Sequence, residues 1–279
     1  MTRPAHSALE ARLRGLREER RAGLVPYLTA GYPDLETTNL LLSAVADAGA
    51  VAIELGIPFS DPLADGPALQ EASQVALEKG VTVRDVFELA RVFAERTDTP
   101  LVAMTYANPV LAYGVERFAR DARTAGISGV IVSDLPVEER PDVWNALRAG
   151  GLDTIPLVAP TTALDRLDRV LARASGFVYC LSRTGVTGDA RAFASELDGL
   201  VAEVRRRTDL PVGIGFGVGD EEKARFVAAR AEAVIVGAAL ARRIAEASRA
   251  GGTQAIVDSV SSFARSLAGA IAGTVKASV

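Results

Sequence analysis

The sequence predicts a (β/α)8 barrel, and three observations carry that reading. Eight short apolar runs recur at intervals of roughly 20 to 35 residues, none shows clear polar–apolar alternation, and amphipathic segments lie between them. Runs without alternation are what strands covered on both faces require. Eight strand–helix alternations in about 250 residues match the arithmetic of a closed barrel. An open doubly wound sheet has the same local pattern, but no GxGxxG follows the first run, which favours the barrel.

Taken in order, the chain opens with a helix. Ser7 with Glu10 three residues later forms a capping box, and Leu9, Leu13 and Leu16 follow on one face. The first strand is LVPYLT (24–29), and the helix after it is capped by Asp34 and carries Leu40, Leu41 and Val45. The second strand, VAIELGI (51–57), runs into a proline-rich loop; residues 83–96 then place Val83, Val86, Phe87 and Ala90 at helical spacing. LVAMTY (101–106) is paired with a helix over 116–124, GVIVSD (129–134) with 137–149, and TIPLVA (154–159) with 163–174. GFVYCLS (176–182) with 194–207, VGIGFG (212–217) with 220–229, and AVIVGA (233–238) with 238–248 complete the eight. A further helix is expected over 254–270. No low-complexity linker divides the chain, so one domain is expected over 1–279. Residues 1–21 would be a helix packing on the barrel, 22–250 the barrel core, and 251–279 a C-terminal helix and tail.

Composition excludes several function classes. A hydrophobic fraction of 49% with 24% charged residues describes a soluble globular chain. The net charge of −4 is spread along the sequence, so there is no basic stripe for nucleic acid. No signal-peptide core or membrane-spanning run is present, and the single cysteine, Cys180, fits a reducing compartment; a cytoplasmic protein is expected. The one histidine, His6, precedes the first helix, and none of the three lysines (Lys79, Lys223, Lys276) ends an apolar run. A histidine-rich metal site is therefore not expected, and acid–base chemistry falls to carboxylates, tyrosines or water.

In a barrel the active site forms at the carboxyl ends of the strands. Thr29, Glu54, Asp65, Tyr106, Asn108, Asp134, Ser182, Arg183, Gly217 and Gly237 land there. Glu54 ends an apolar run, and the loop behind it, stiffened by Pro58, Pro62 and Pro67, adds Asp61 and Asp65. Two carboxyls in one mouth can divide acid and base roles if their surroundings separate their pKa values; loop acids otherwise cap amides or pair with arginines. The turns SRTGVTG (182–188), GFG (215–217) and VGAAL (236–240) bring glycine and helix amino termini together, as phosphate binding requires. Tyr27, Met104, Tyr179 and Phe216 either line an apolar pocket or fill the core. Schiff-base aldol chemistry wants a lysine in the mouth, and none is placed there. Carbon–carbon cleavage would then need a substrate that is its own electron sink, as an indole protonated at C3 is.

ELGIPFSDPLADGP, YANPV, SDLPVEE, SRTGVTG and GFGV, in that order and spacing, resemble the tryptophan synthase α subunit family. The resemblance extends from LVPYLTAGYPD to VIVGAAL. It implies a lyase that cleaves indole-3-glycerol phosphate to indole and glyceraldehyde 3-phosphate. By matching position it makes Glu54 the general acid–base and Asp65 the partner of the indole N–H. Tyr27, Met104, Ile131, Tyr179 and Phe216 would line the indole pocket, and Thr187 would lie in the loop that closes over the site. Gly188, Gly217, Gly237 and Ala238 would hold the phosphate, and Pro58, Asp61, Asn108 and Pro136 would face or communicate with a partner. That partner is a pyridoxal phosphate-dependent β subunit in an αββα complex, the α chain itself carrying no cofactor and no metal. Ala238 stands where many relatives have serine, so only its backbone N–H would reach the phosphate; Ser133 and Ile214 also depart from the commoner residues. The competing readings are a stand-alone indole-releasing lyase and a catalytically silent binding barrel. The intact Glu54 and Asp65 argue against the second, and the remote His6 argues against a sugar-phosphate isomerase.

Overall fold

The computed structural model describes residues 7–181, 190–215, 217–274 and 276. Nine strand segments alternate with helices: β1 Gly23–Thr29, β2 Ile53–Gly56, β3 Leu101–Thr105, β4 Ile127–Val132, β5 Asp153–Thr154, β6 Leu157–Val158, β7 Val178–Leu181, β8 Val212–Gly215 and β9 Ala233–Val236. All pairings are parallel, in the order β5-β4-β3-β2-β1-β9-β8-β7-β6. The two ends of that order are halves of one extended stretch, separated by Ile155 and Pro156. Ile155 donates to the Val130 carbonyl at 3.1 Å on one side, and Tyr179 donates to the Pro156 carbonyl at 3.0 Å on the other. The sheet thus closes as eight barrel strands, the fifth divided where Pro156 has no N–H to offer the ladder.

Period-two alternation sorts the strand residues into two layers. Val25, Ala52, Val102, Ile131, Ile155, Phe177, Tyr179, Ala233 and Ile235 fill the barrel interior. Their neighbours Leu24, Ile53, Ala103, Val130, Val178, Ile214 and Val234 face the helical ring. The interior cluster also contains Leu9, Leu13 and Leu16 from the helix Ala8–Glu18, which stops the amino end of the barrel. Ser7 starts that helix by accepting from Glu10 N at 3.0 Å, and its hydroxyl donates to the Asp153 carboxylate at the start of β5. The cap that begins the helix therefore also ties it to the barrel. Burying each leucine contributes about 1.5–3 kcal/mol.

The predicted helices are present with shifted ends; the one expected over 137–149 begins later, as Pro141–Ala149, with proline at its first turn. Two helices were not expected from periodicity. Pro67–Glu78 starts on Gly66 and Pro67 and buries only the small residues Ala72, Ser73 and Ala76, so its apolar signal is weak. Ala107–Tyr113 is two turns long and is capped from another loop: Asp134 Oδ1 accepts from Ala107 N at 2.7 Å. Beyond the last helix, Thr253–Ala272, Lys276 is buried against Glu232, just before β9. Glu232 also takes Arg205 at 3.0 Å and Val212 N–H at 2.8 Å. One lysine is thus buried, but at the amino end of the barrel, opposite the strand ends where a site belongs. Among the described residues no helix is long and apolar enough to cross a membrane.

Candidate active site

Glu54 sits in β2 between Ile53 and Leu55, both buried in the outer layer, so alternation turns its side chain into the barrel. It is 1% exposed, no ion pair reaches it among the described residues, and Oε1 has no hydrogen-bond partner. Burial alone pushes its carboxyl up to about 8. At neutral pH this group holds its proton.

Asp65 enters from the loop between β2 and the helix Pro67–Glu78. That loop is pinned by Leu63 N to the Asp61 carbonyl (2.8 Å), Asp65 N to the Pro62 carbonyl (3.0 Å) and Gln70 Nε2 to the Asp65 carbonyl (3.0 Å). Burial raises the Asp65 carboxyl, and the nearby Tyr106 hydroxyl partly lowers it again. The Tyr106 oxygen is buried and falls short of good hydrogen-bond geometry with any described group, so it approaches Asp65 without closing a bond. Its ring packs on Phe59 at 5.2 Å between centroids. The two carboxyls therefore meet different surroundings: Glu54 is sealed without partners, whereas Asp65 is half-buried beside a phenol.

Two tyrosines complete the mouth. Thr29 Oγ1 donates to Tyr27 Oη at 3.3 Å. The Tyr27 hydroxyl lies over Gly56, where a Cβ would be 2.0 Å from Oη. Tyr179 lies over Gly215 in the same way, again with 2.0 Å to its hydroxyl. Each glycine is required by the ring above it. Both phenols are raised first by burial and then by the acids: Tyr27 by Asp65 and Glu54, Tyr179 by Glu54 and Asp65. Those couplings place both carboxyls and both phenols within one electrostatic neighbourhood. Ile131 is fully buried in the interior and Met104 packs against it, level with Gly56 in the β2–β3–β4 register.

On the opposite side of the mouth, Gly237 precedes the helix Ala238–Ala250 and lies 3.5 Å from Tyr27 Cβ, measured from its ideal Cβ position. Leu240 and Ala241 N–H groups bond the Gly237 carbonyl, so the amides of Ala238 and Ala239 form the open end of the helix. Gly217 follows β8 at φ +40°, a left-handed conformation that favours glycine. His6, Ser182, Arg183, Thr187, Gly188 and Phe216 lie outside the described residues. Ile214 faces the helices, away from the mouth. Of the expected partner-facing positions, Asp61 and Asn108 are exposed, Pro136 is half-buried and Pro58 is buried beneath them. Leu63, between Asp61 and Asp65, is 90% exposed. Tyr106 and Asp134, which the sequence placed at the strand ends without a role, gain one here: Tyr106 stands beside Asp65, and Asp134 caps the helix Ala107–Tyr113. Cys180 faces outward, buried, with its thiol pushed up to about 12 by burial, and so takes no part.

A family model described as the tryptophan synthase alpha chain matches residues 13–271. The chain belongs to that family. Curated tryptophan synthase alpha chains include one from Alkalilimnicola ehrlichii that is 50% identical over 238 residues, covering 85% of this chain and 87% of its own. Another, from Acidiphilium cryptum, is 46% identical over 270 residues, covering 96% and 98%. Among solved structures, the tryptophan synthase alpha subunit of Legionella pneumophila superposes with a TM-score of 0.87 at 35% identity, covering 96% of this chain and 99% of that one. A tryptophan synthase structure from Mycobacterium tuberculosis gives 0.85 at 36% identity, covering 96% and 99%. The mouth described above is thus the carboxyl-end mouth of a tryptophan synthase alpha barrel.

Proposed function

We propose that Glu54 and Asp65 carry out the cleavage of indole-3-glycerol phosphate to indole and glyceraldehyde 3-phosphate, the reaction of the family to which the chain belongs. The observation that supports these roles best is Glu54 itself: a sealed carboxyl, raised to about 8, beside a second acid in a different setting. Protonated Glu54 gives its proton to indole C3, and the ring nitrogen becomes cationic. Ionised Asp65 accepts a hydrogen bond from that N–H and stabilises the charge. The Glu54 carboxylate then takes the proton of the glycerol hydroxyl next to the bond. The C3–C bond breaks, its electron pair restores neutral indole, and the hydroxyl carbon becomes the aldehyde. Glu54 ends protonated, ready for another turn.

Tyr27, Met104, Ile131, Tyr179 and Phe216 wall the indole; Gly188, Gly217, Gly237 and the backbone of Ala238 hold the phosphate at the helix amino terminus; and Thr187 closes over both. Asp61, Asn108 and Pro136, with Pro58 beneath, face the β subunit of an αββα complex, in which pyridoxal phosphate belongs to the β chain and none to this one. The protein works in the cytoplasm, as one domain over 1–279 with the barrel at 22–250. The test is indole release from indole-3-glycerol phosphate with and without β subunit. Glu54→Gln is expected to abolish it while the fold and substrate binding persist; retention of most activity would sink the assignment.

A further inference from the structure

A cavity of about 180 Å³ lies under the loop that follows β4, at the outer edge of the barrel mouth, with Asp134 on its wall. Ser133, Pro136, Trp144, Leu157, Arg166 and Val170 line it. Trp144, the only tryptophan of the chain, is 4% exposed, and its Nε1 donor has no hydrogen-bond partner; neither has Ser133 Oγ. Arg166 uses Nε on Glu138 at 2.8 Å, and its terminal nitrogens make no hydrogen bond to a described residue. A buried indole N–H without an acceptor is costly. Two buried donors without partners thus border one small space, with the half-exposed Arg166 at its rim.

Charge decides what they suit. Glu138 offsets Arg166, and Asp134, also on the wall, adds one negative charge, its Oδ1 already engaged by Ala107 N–H. An anion is therefore disfavoured, and a neutral acceptor matches. Pro136, Leu157 and Val170 offer apolar faces to a ring, and an apolar cavity of about 150 Å³ is large enough for benzene. We propose that this cavity is a second small-molecule site, taking a neutral single-ring compound whose carbonyl or hydroxyl oxygen accepts from Trp144 and Ser133, with Arg166 at the rim as a further donor. Leu157 also packs on the interior cluster that holds Tyr179 and Ile131, and it is the register partner of Tyr179. The back wall of the cavity is therefore shared with the barrel.

A single tryptophan means a single indole N–H cross-peak in a nitrogen-15 correlation spectrum of the full-length chain. Titration with δ-valerolactam is expected to move that peak downfield and saturably at millimolar concentration. Ser133→Ala is expected to weaken binding about two- to tenfold, the worth of one neutral hydrogen bond, and Arg166→Gln, which removes a charged donor from the rim, by a similar factor or more. Cyclopentanecarboxylate, a charged ring of similar size, is expected to bind at least tenfold more weakly than the lactam. A peak that does not move, or moves linearly without saturating, would mean water alone occupies the cavity and would overturn the proposal. So would native affinity in both variants, or carboxylate binding as tight as lactam. If one variant loses the native spectrum, the other decides.

Discussion

Replacing Glu54 by glutamine removes a titration that costs stability, and the cost follows from where the carboxyl sits. Its pKa is 4.5 in the unfolded chain and about 8 in the fold. Below 4.5 both states hold the proton, and the site is neutral in each. Between 4.5 and 8 the unfolded chain releases the proton while the fold retains it, so native stability falls as pH rises, at about 1.36 kcal/mol per unit. Two and a half units separate 4.5 from pH 7, which makes the deficit about 3 kcal/mol. Glutamine has no proton to release, and the deficit disappears. The stability of Glu54→Gln minus that of the native chain should therefore grow by about 3 kcal/mol between pH 4 and pH 7. Other acids titrate alike in both proteins and cancel in the difference. Urea unfolding followed by circular dichroism at a series of pH values measures it, with equal m-values as the check that both unfold to the same extent. An offset already present at pH 4, beneath that growth, would report only how the amide packs. A difference independent of pH across this window would refute the reasoning, because Glu54 would then titrate as an ordinary exposed acid.

Three further outcomes are expected. kcat/KM for indole release should fall tenfold per unit above about pH 8, as Glu54 loses the proton it must donate, and should fall again on the acid side as Asp65 protonates above its ordinary value. A pH profile flat through 8 would contradict the acid role. Gly56→Ala puts a methyl 2.0 Å from the Tyr27 hydroxyl. It should cost about 1–3 kcal/mol in urea unfolding and raise KM, because the displaced ring narrows the mouth. Glu232→Ala strands Lys276 and the Val212 N–H at the amino end and leaves Arg205 only the Arg230 carbonyl. It should cost about 3–5 kcal/mol in the same assay while leaving kcat of the folded enzyme unchanged, since none of these groups approaches the mouth.

The barrel was legible because its evidence is local. A doubly buried strand needs a continuous apolar run, and a helix shows its face every third or fourth residue, so Leu9, Leu13 and Leu16 announced the helix that stops the barrel. Pro67–Glu78 escaped because alanines and a serine make its buried face. Ala107–Tyr113 escaped because the acid that caps it, Asp134, lies on a different loop. The split of the fifth strand at Pro156 was visible as a proline but not as a boundary, since its neighbours on the two sides are β4 and β7.

The sequence by itself determined the parallel barrel, the place of Glu54 in its second strand and the acidic loop behind it, all of which follow from chain period; that Gly56 and Gly215 lie under tyrosine rings came only with the structure. Tertiary structure alone decided the protonation of Glu54, because the lack of a partner is a property of the surrounding space and not of the residues beside it in the chain. The same holds for Lys276, one of three lysines that ended no strand, yet buried on Glu232 at the far end of the barrel. It holds for Tyr106 as well, whose hydroxyl comes near Asp65 because the loop after β2 packs Phe59 on its ring.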